Sequence, residues 1–252
     1  MATASSIAAE IREGISAGQY RYGTRLPSVR ALAEDKEVSQ QTAAAAYATL
    51  AALGLVRTER GSGTVVTAGR SAHAHLGSYL PPDLAKGKAW QPADGGEATE
   101  QTTLVRQLPA TKDMFDRWGI EVGAEVVERT RIRRIDGLAV QHKLSVMPHD
   151  VASRSPEGHE GIPPMLAPVG AAPLSPPPGV RMAQWLGWDI ERTEVRITAE
   201  PMTPAAAEAL GVPQGTPGFR VENISRNSAG ETVFATVTTT PLHHTVTMEI
   251  VG

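Results

Sequence analysis

Between Leu26 and Val66 the chain runs LPSVRALAEDKEVSQQTAAAAYATLAALGLVRTERGSGTVV, and no other stretch restricts the fold as tightly. The apolar stripe Val29, Leu32, Ala33 predicts a short helix from Ser28 to about Asp35. After a tight turn, the Ser39 hydroxyl has the chemistry to accept an orphan N–H at the start of a second helix. That helix should run to about Leu53 and stop at Gly54, where a left-handed residue is expected. Two strand-like runs follow, Val56–Arg60 and Thr64–Val66, joined through Gly61-Ser62-Gly63. Helix, turn, helix and a glycine-tipped hairpin predict a winged helix-turn-helix, whose second helix has the dimensions to enter the major groove of duplex DNA.

Ahead of it, Ile7, Ala8, Ile11 and Ile15 recur at helical spacing and end at Gly18, so residues 1–70 read as one small DNA-binding domain. Residues 71–101 mix Pro, Gly, Ala and charge without a period and read as a linker, with a short docked piece around Trp90. Residues 102–252 read as a second domain. A hydrophobic fraction of 41% supports packed cores in a chain of 252 residues. The absence of cysteine removes disulfides, thiol catalysis and cysteine-ligated zinc together. No apolar run approaches membrane-spanning length and MATASSIAAEIREG has no signal-peptide core, so a cytoplasmic protein without a membrane partner is expected. The net charge of −3 divides unevenly: residues 1–70 hold 8 basic against 6 acidic side chains, residues 71–252 hold 16 against 21. The first segment is only weakly basic, which permits DNA binding without arguing for it; a dimer would double its phosphate contacts.

In the second domain Gly119 and Gly123 are spaced as Gly211 and Gly215 are, 92 residues later. Each pair follows a helical segment (Lys112–Trp118, Pro204–Leu210) and precedes a strand, a glycine turn (Asp136-Gly137, Ala229-Gly230), a second strand and a proline (Pro148, Pro241). A decayed internal duplication would produce this, as would chance spacing of Gly and Pro. Two helix-plus-hairpin units predict an α+β domain, one antiparallel sheet with helices. Between them lie a Pro-rich loop, Pro163 to Pro178, and a helix expected from Gly179 to Leu186.

The first domain resembles the winged helix of the GntR family of bacterial transcription regulators. The matching residues are Gly23-Thr24-x-Leu26-Pro27-Ser28-x-Arg30, Leu32-Ala33, Val38-Ser39-x-x-Thr42, Leu50, Gly54-Leu55-Val56 and Gly61-x-Gly63-Thr64. The second is similar to the UTRA effector domain of the HutC-type subfamily, through Arg131-x-Arg133 before Asp136-Gly137, and Ile197-x-Ala199 before Ala206–Leu210-Gly211-Val212-Pro213-x-Gly215-x-Pro217. The resemblance implies a chorismate lyase-like sheet, a homodimer, a DNA operator as partner and a small-molecule effector that loosens or tightens DNA binding. It implies no cofactor.

Carried onto these positions, the resemblance puts Arg30, on the first helix of the motif, at a base or a phosphate. Gln40 and Gln41 occupy the first turn of the second helix, where an amide can pair with adenine. Ser39 caps that helix and Thr42 stands where relatives donate to phosphate. Arg57, Arg60, Gly61 and Gly63 form the wing, against the backbone or in the minor groove; an ordinary solvated hairpin would read alike. Many relatives carry arginines where this chain has Gln40 and Ala44, so a different operator is expected, read through Gln, Arg30 and DNA shape. Ala43, Ala46, Leu50 and Leu53 are assigned to the core.

For the effector, Arg131 and Arg133 match an arginine pair that faces the ligand in sugar-phosphate-binding relatives, and alternation puts both on one sheet face. Two adjacent guanidiniums need an anion or carboxylates to neutralise them. The other reading is a solvent-exposed row, Arg129, Arg131, Arg133 and Arg134. Where those relatives supply serine and tyrosine, this chain reads Val180-Arg181-Met182; their glutamate falls near Phe234; their late Arg/Asp pair is replaced by Thr240-Pro241-Leu242-His243. Met182 and Phe234 at ligand positions point to a more apolar effector than a phosphosugar, or to none. His243-His244 are not expected to bind metal, because neighbours on a strand face opposite ways. Trp185 and Trp188 suit either a pocket or helix packing. Two readings compete: a repressor whose operator affinity follows an effector, and a repressor whose second domain only dimerises, as in plasmid transfer or copy control. Catalysis is not expected, since no nucleophile–base ordering, phosphate-cradling loop or carboxylate pair stands out.

Overall fold

The computed structural model describes residues 2–59, 63–69, 71, 73–78, 97–172, 174–177 and 180–249. The N-terminal helices are α1 (Ala4–Ser16), α2 (Val29–Asp35) and α3 (Gln40–Ala52), followed by the hairpin β1 (Val56–Glu59) and β2 (Gly63–Val66). The expected cap at Ser39 forms, and two further caps accompany it. Thr3 and Ser6 make a reciprocal capping box on α1, and the Ser28 and Ser39 hydroxyls accept from the N–H of Ala31 and Thr42. Gly54, with φ +71°, turns the chain out of α3 into β1. Ile7, Ile11 and Ile15 of α1, Leu32 of α2 and Ala43, Ala46, Tyr47 and Leu50 of α3 close one core with Leu55, Val56 and Val66. Leu53 is partly buried against the same cluster.

The remaining elements are β3 (His73–Ser78), β4 (Ala98–Pro109), α4 (Lys112–Trp118), β5 (Glu125–Ile135), β6 (Leu138–Pro148), α5 (His149–Ala152), α6 (Met182–Trp185), β7 (Arg192–Pro201), α7 (Pro204–Leu210), β8 (Pro217–Arg226), β9 (Thr232–Pro241) and β10 (Thr245–Glu249). Six strands form one antiparallel sheet in the order β4-β5-β6-β9-β8-β7. That order reads the same from either edge as two strand–helix–hairpin units meeting at β6 and β9. The units match in detail: Thr111 and Thr203 cap α4 and α7, and Gly119 (φ +73°) and Gly211 (φ +67°) end them. Asp136 and Gly137 both take positive φ, as a two-residue hairpin turn requires.

Two local expectations change. The helix expected from Gly179 to Leu186 is the single turn α6; Arg181 precedes it in extended conformation, because the proline-rich run leads in as irregular chain. In the stretch read as a linker, residues 73–78 form β3, paired in parallel with β10, and Ala98–Gln101 belong to β4. Pairing with a strand about 170 residues away leaves no local period to detect. Trp90 lies outside the described residues.

Candidate DNA-binding face and effector pocket

On α3 the Ser39 hydroxyl accepts from the Thr42 N–H at 3.1 Å and lies 2.9 Å from the Thr42 hydroxyl, so both side chains are engaged in the cap. Gln40 and Gln41 are exposed on the turn they start. The Tyr47 hydroxyl donates to the Pro27 carbonyl at 2.6 Å, which fixes α3 against the entry to α2; burial pushes this phenol up to about 12. Arg30 is exposed on α2, its Nε donating to Glu34 Oε1 at 2.9 Å. An exposed i,i+4 pair contributes about 0.5 kcal/mol or less, so a phosphate or base edge can take the guanidinium over. Arg57 is exposed on β1, and Gly63 opens β2 with φ +85°. Arg60 and Gly61 lie outside the described residues. One wing residue was not legible in sequence. Thr24–Leu26 runs beside β2, with Leu26 N–H donating to Thr64 O and Val66 N–H to Thr24 O, each at 2.9 Å. The run carries an exposed Arg25 past Gly63. A single bridge leaves no periodic signal.

In the large sheet, Arg131 of β5 stands opposite Thr102 of β4 and Lys143 of β6, and Arg133 opposite Glu100 and Gln141. One carboxylate serves both arginines. Arg131 Nη1 donates to Glu100 Oε1 at 2.8 Å, and Arg133 Nε donates to Glu100 Oε2 while its Nη1 donates to Gln141 Oε1 at 2.8 Å. Burial pushes the Glu100 carboxyl up, but Arg133 and Arg131 outweigh it and hold the group down at about 2. The internal carboxylate thus takes the place an external anion would fill. Burial beside Arg133 and Arg131 pushes Lys143 down to about 7.

The exposed-row reading fails at Arg129, which is buried. Its Nη1 donates to the carbonyls of Pro164 (3.3 Å), Met165 (2.6 Å) and Ala167 (3.3 Å) and clamps the proline-rich loop over the sheet. Burial and Arg131 hold it at about 10. Under this loop is a cavity of about 300 Å³ with Arg129, Arg131, Met165, Val169, Leu174 and Met182 among its walls. The Nε atoms of Arg129 and Arg131 are buried without a hydrogen-bond partner among the described residues.

Of the expected effector residues, Arg131 and Met182 line this cavity. Arg133 stays two residues along the strand, bound to Glu100 and Gln141. Phe234 is half-buried and packs on Trp188, ring centroids 5.2 Å apart, against the apolar layer of Val127 and Met147 that Met182 also borders; it does not line this cavity. Its neighbours are core side chains gathered from distant elements, which a position in a hairpin does not disclose. Trp188 donates its Nε1–H to Val151 O at 3.1 Å, a packing role. For His243 and His244 the strand-parity argument does not hold. Residues 242–244 form a turn, and the two rings meet at 41° with centroids 3.8 Å apart.

Residues 3–66 match the family model for bacterial regulatory proteins of the gntR family, and residues 93–161 and 177–244 match the UTRA domain model. An HTH-type transcriptional regulator of Streptomyces coelicolor is 28% identical over 239 residues, covering 88% of this chain and 81% of that one. A crystal structure described as a GntR-family transcriptional regulator aligns over 99% of this chain and 97% of its own, with a TM-score of 0.56 and 21% identity. PhnF from Mycobacterium smegmatis aligns over 98% of each chain, with a TM-score of 0.50 and 22% identity. The two structures share this fold. Among the described residues no helix is long and apolar enough to cross a membrane.

Proposed function

Since this chain belongs to the gntR family of bacterial regulatory proteins and carries a UTRA effector domain, we propose that it is a cytoplasmic, homodimeric repressor whose operator affinity is set by a small molecule in the cavity under the proline-rich loop. In this reading two winged helices cover half-sites that overlap a promoter, and Arg30, Gln40, Gln41, Arg57 and the wing make the contacts. Effector binding then favours one spacing of the heads over another. The observation that carries it is the cavity itself. It lies under a loop clamped to Arg129 and is lined by apolar side chains (Met165, Val169, Leu174, Met182) and by polar ones (Glu100, Thr102, Arg129, Arg131), and the Nε–H groups of both arginines are buried without a partner among the described residues. An effector with an apolar body and one acceptor group facing Arg131 fits that wall. A phosphosugar fits less well, because Glu100 already occupies the arginine pair. No catalytic step enters this reading.

The test uses the full-length protein, genomic DNA fragments and a melting-temperature screen of metabolites. Selective retention of fragments upstream of genes is expected, together with a metabolite that raises Tm and also changes retention. Equal retention of genomic and random duplexes at low salt would remove the regulator reading. Operator binding that no Tm-raising compound alters would favour a domain that only dimerises, a reading the Glu100 contacts also accommodate.

A further inference from the structure

Helix α3 carries no charged side chain from Gln40 to Ala52. Its core side holds Ala43, Ala46, Tyr47 and Leu50, and its exposed side holds Gln40, Gln41, Ala44, Ala45, Ala48, Thr49 and Ala52. At 3.6 residues per turn the first five form one continuous face, two amides at the N-terminal end and three methyl groups behind them, while the Thr49 hydroxyl is turned back onto the Ala45 carbonyl at 3.0 Å. In a helix-turn-helix the N-terminal part of the second helix meets base edges in the major groove.

Each base edge has its own demands there. Guanine presents two acceptors, met by the forked donors of arginine or by lysine, and cytosine presents a donor, met by a carboxylate. The exposed face of α3 has none of these. Adenine presents an acceptor beside a donor, which one glutamine amide satisfies, and thymine projects a methyl group, which packs against an alanine methyl. Alanines also let the helix lie deep, because nothing longer holds it off the groove floor.

We infer that α3 reads A·T base pairs: Gln40 and Gln41 pair with adenines at the centre of each half-site, and Ala44, Ala45 and Ala48 contact the methyl groups of adjoining thymines. This rests on the DNA-binding reading above and specifies its target. Arg30, on α2, lies off this face and is left for a phosphate or a flanking base.

The full-length protein is used to select duplexes from a randomised library, and the best duplex is then remade with deoxyuridine for each thymine in turn. Two or more adjacent A·T pairs are expected in each half-site. Loss of a contacted thymine methyl should weaken binding roughly fourfold, the value of one buried methyl group. Gln40→Ala and Gln41→Ala, both at exposed positions, should each weaken binding roughly tenfold and relax the choice at one base pair. Circular dichroism of each variant confirms an intact fold. G·C pairs at the centre of the selected half-sites, or deoxyuridine duplexes bound as tightly as the parent, would overturn the inference while leaving the DNA-binding reading standing. If no sequence were enriched, both would fall.

Discussion

Glu100 lies on an edge strand, yet its carboxylate receives Arg131 and Arg133 together and is held at about 2. A carboxyl depressed in the folded state adds stability above its unfolded value near 4.5, and that stability is lost as pH falls toward the folded value. Glu100→Gln should therefore be less stable than the parent at pH 7, and the gap should close between about pH 4.5 and pH 2. Urea midpoints at several pH values measure it, and a gap that does not depend on pH would show that the carboxylate charge is not the cause. The arginine pair was legible from strand alternation, together with its need for a counter-charge. Its partner was not, because Glu100 lies 31 and 33 residues away on a strand whose start was read as linker.

At the scale of elements, the two strand–helix–hairpin units solve one packing problem in two ways. In the first, Ala110 and the buried Val126 fill the space beneath α4; 92 residues on, Met202 and Gly218 stand in their places. A Cβ on Gly218 would sit 2.6 Å from Met202 Cε and 2.8 Å from the backbone oxygen of Thr240. The methionine can move, but the backbone of β9 cannot move freely. Gly218→Ala should cost about 1–3 kcal/mol, the usual range for overpacking. Chemical denaturation would show it, and an unchanged midpoint would mean that β8 shifts without strain. The glycine and proline spacing disclosed the repeat because helix stops and tight turns are local demands. The exchange of volume between Met202 and Gly218 was hidden, since it appears only when the strands are in register.

At the scale of the whole molecule, the head and the sheet domain meet along a seam. Thr216 and Val212 lie against Gly54, Leu138 against Gly69, and the Ser71 hydroxyl donates to His243 O at 2.8 Å. Both ring nitrogens of His243 are buried there without hydrogen-bond partners among the described residues, and burial together with Arg12 holds the imidazole down at about 4. A histidine depressed in the folded state costs stability as pH falls from its unfolded value near 6.5 to its folded value. His243→Phe keeps the ring and removes the unpaired nitrogens. It should raise Tm at pH 7.5, and its advantage should widen between about pH 6.5 and pH 4. A parallel pair of Tm–pH curves would contradict the buried, neutral imidazole.

What the sequence determined by itself were the features set within a few residues: the helix-turn-helix with its Ser39 cap, the glycine stops, the Asp-Gly hairpin and the parity that puts Arg131 and Arg133 on one face. These follow from backbone geometry and periodicity, which act over one or two turns or strands. Tertiary structure alone decided that Glu100 neutralises the arginines, that Arg129 clamps the proline-rich loop over a cavity, that Phe234 packs on Trp188 and that β3 joins β10. Each of these depends on residues far apart in the chain, brought together by burial and strand register, and neither leaves a pattern in local order.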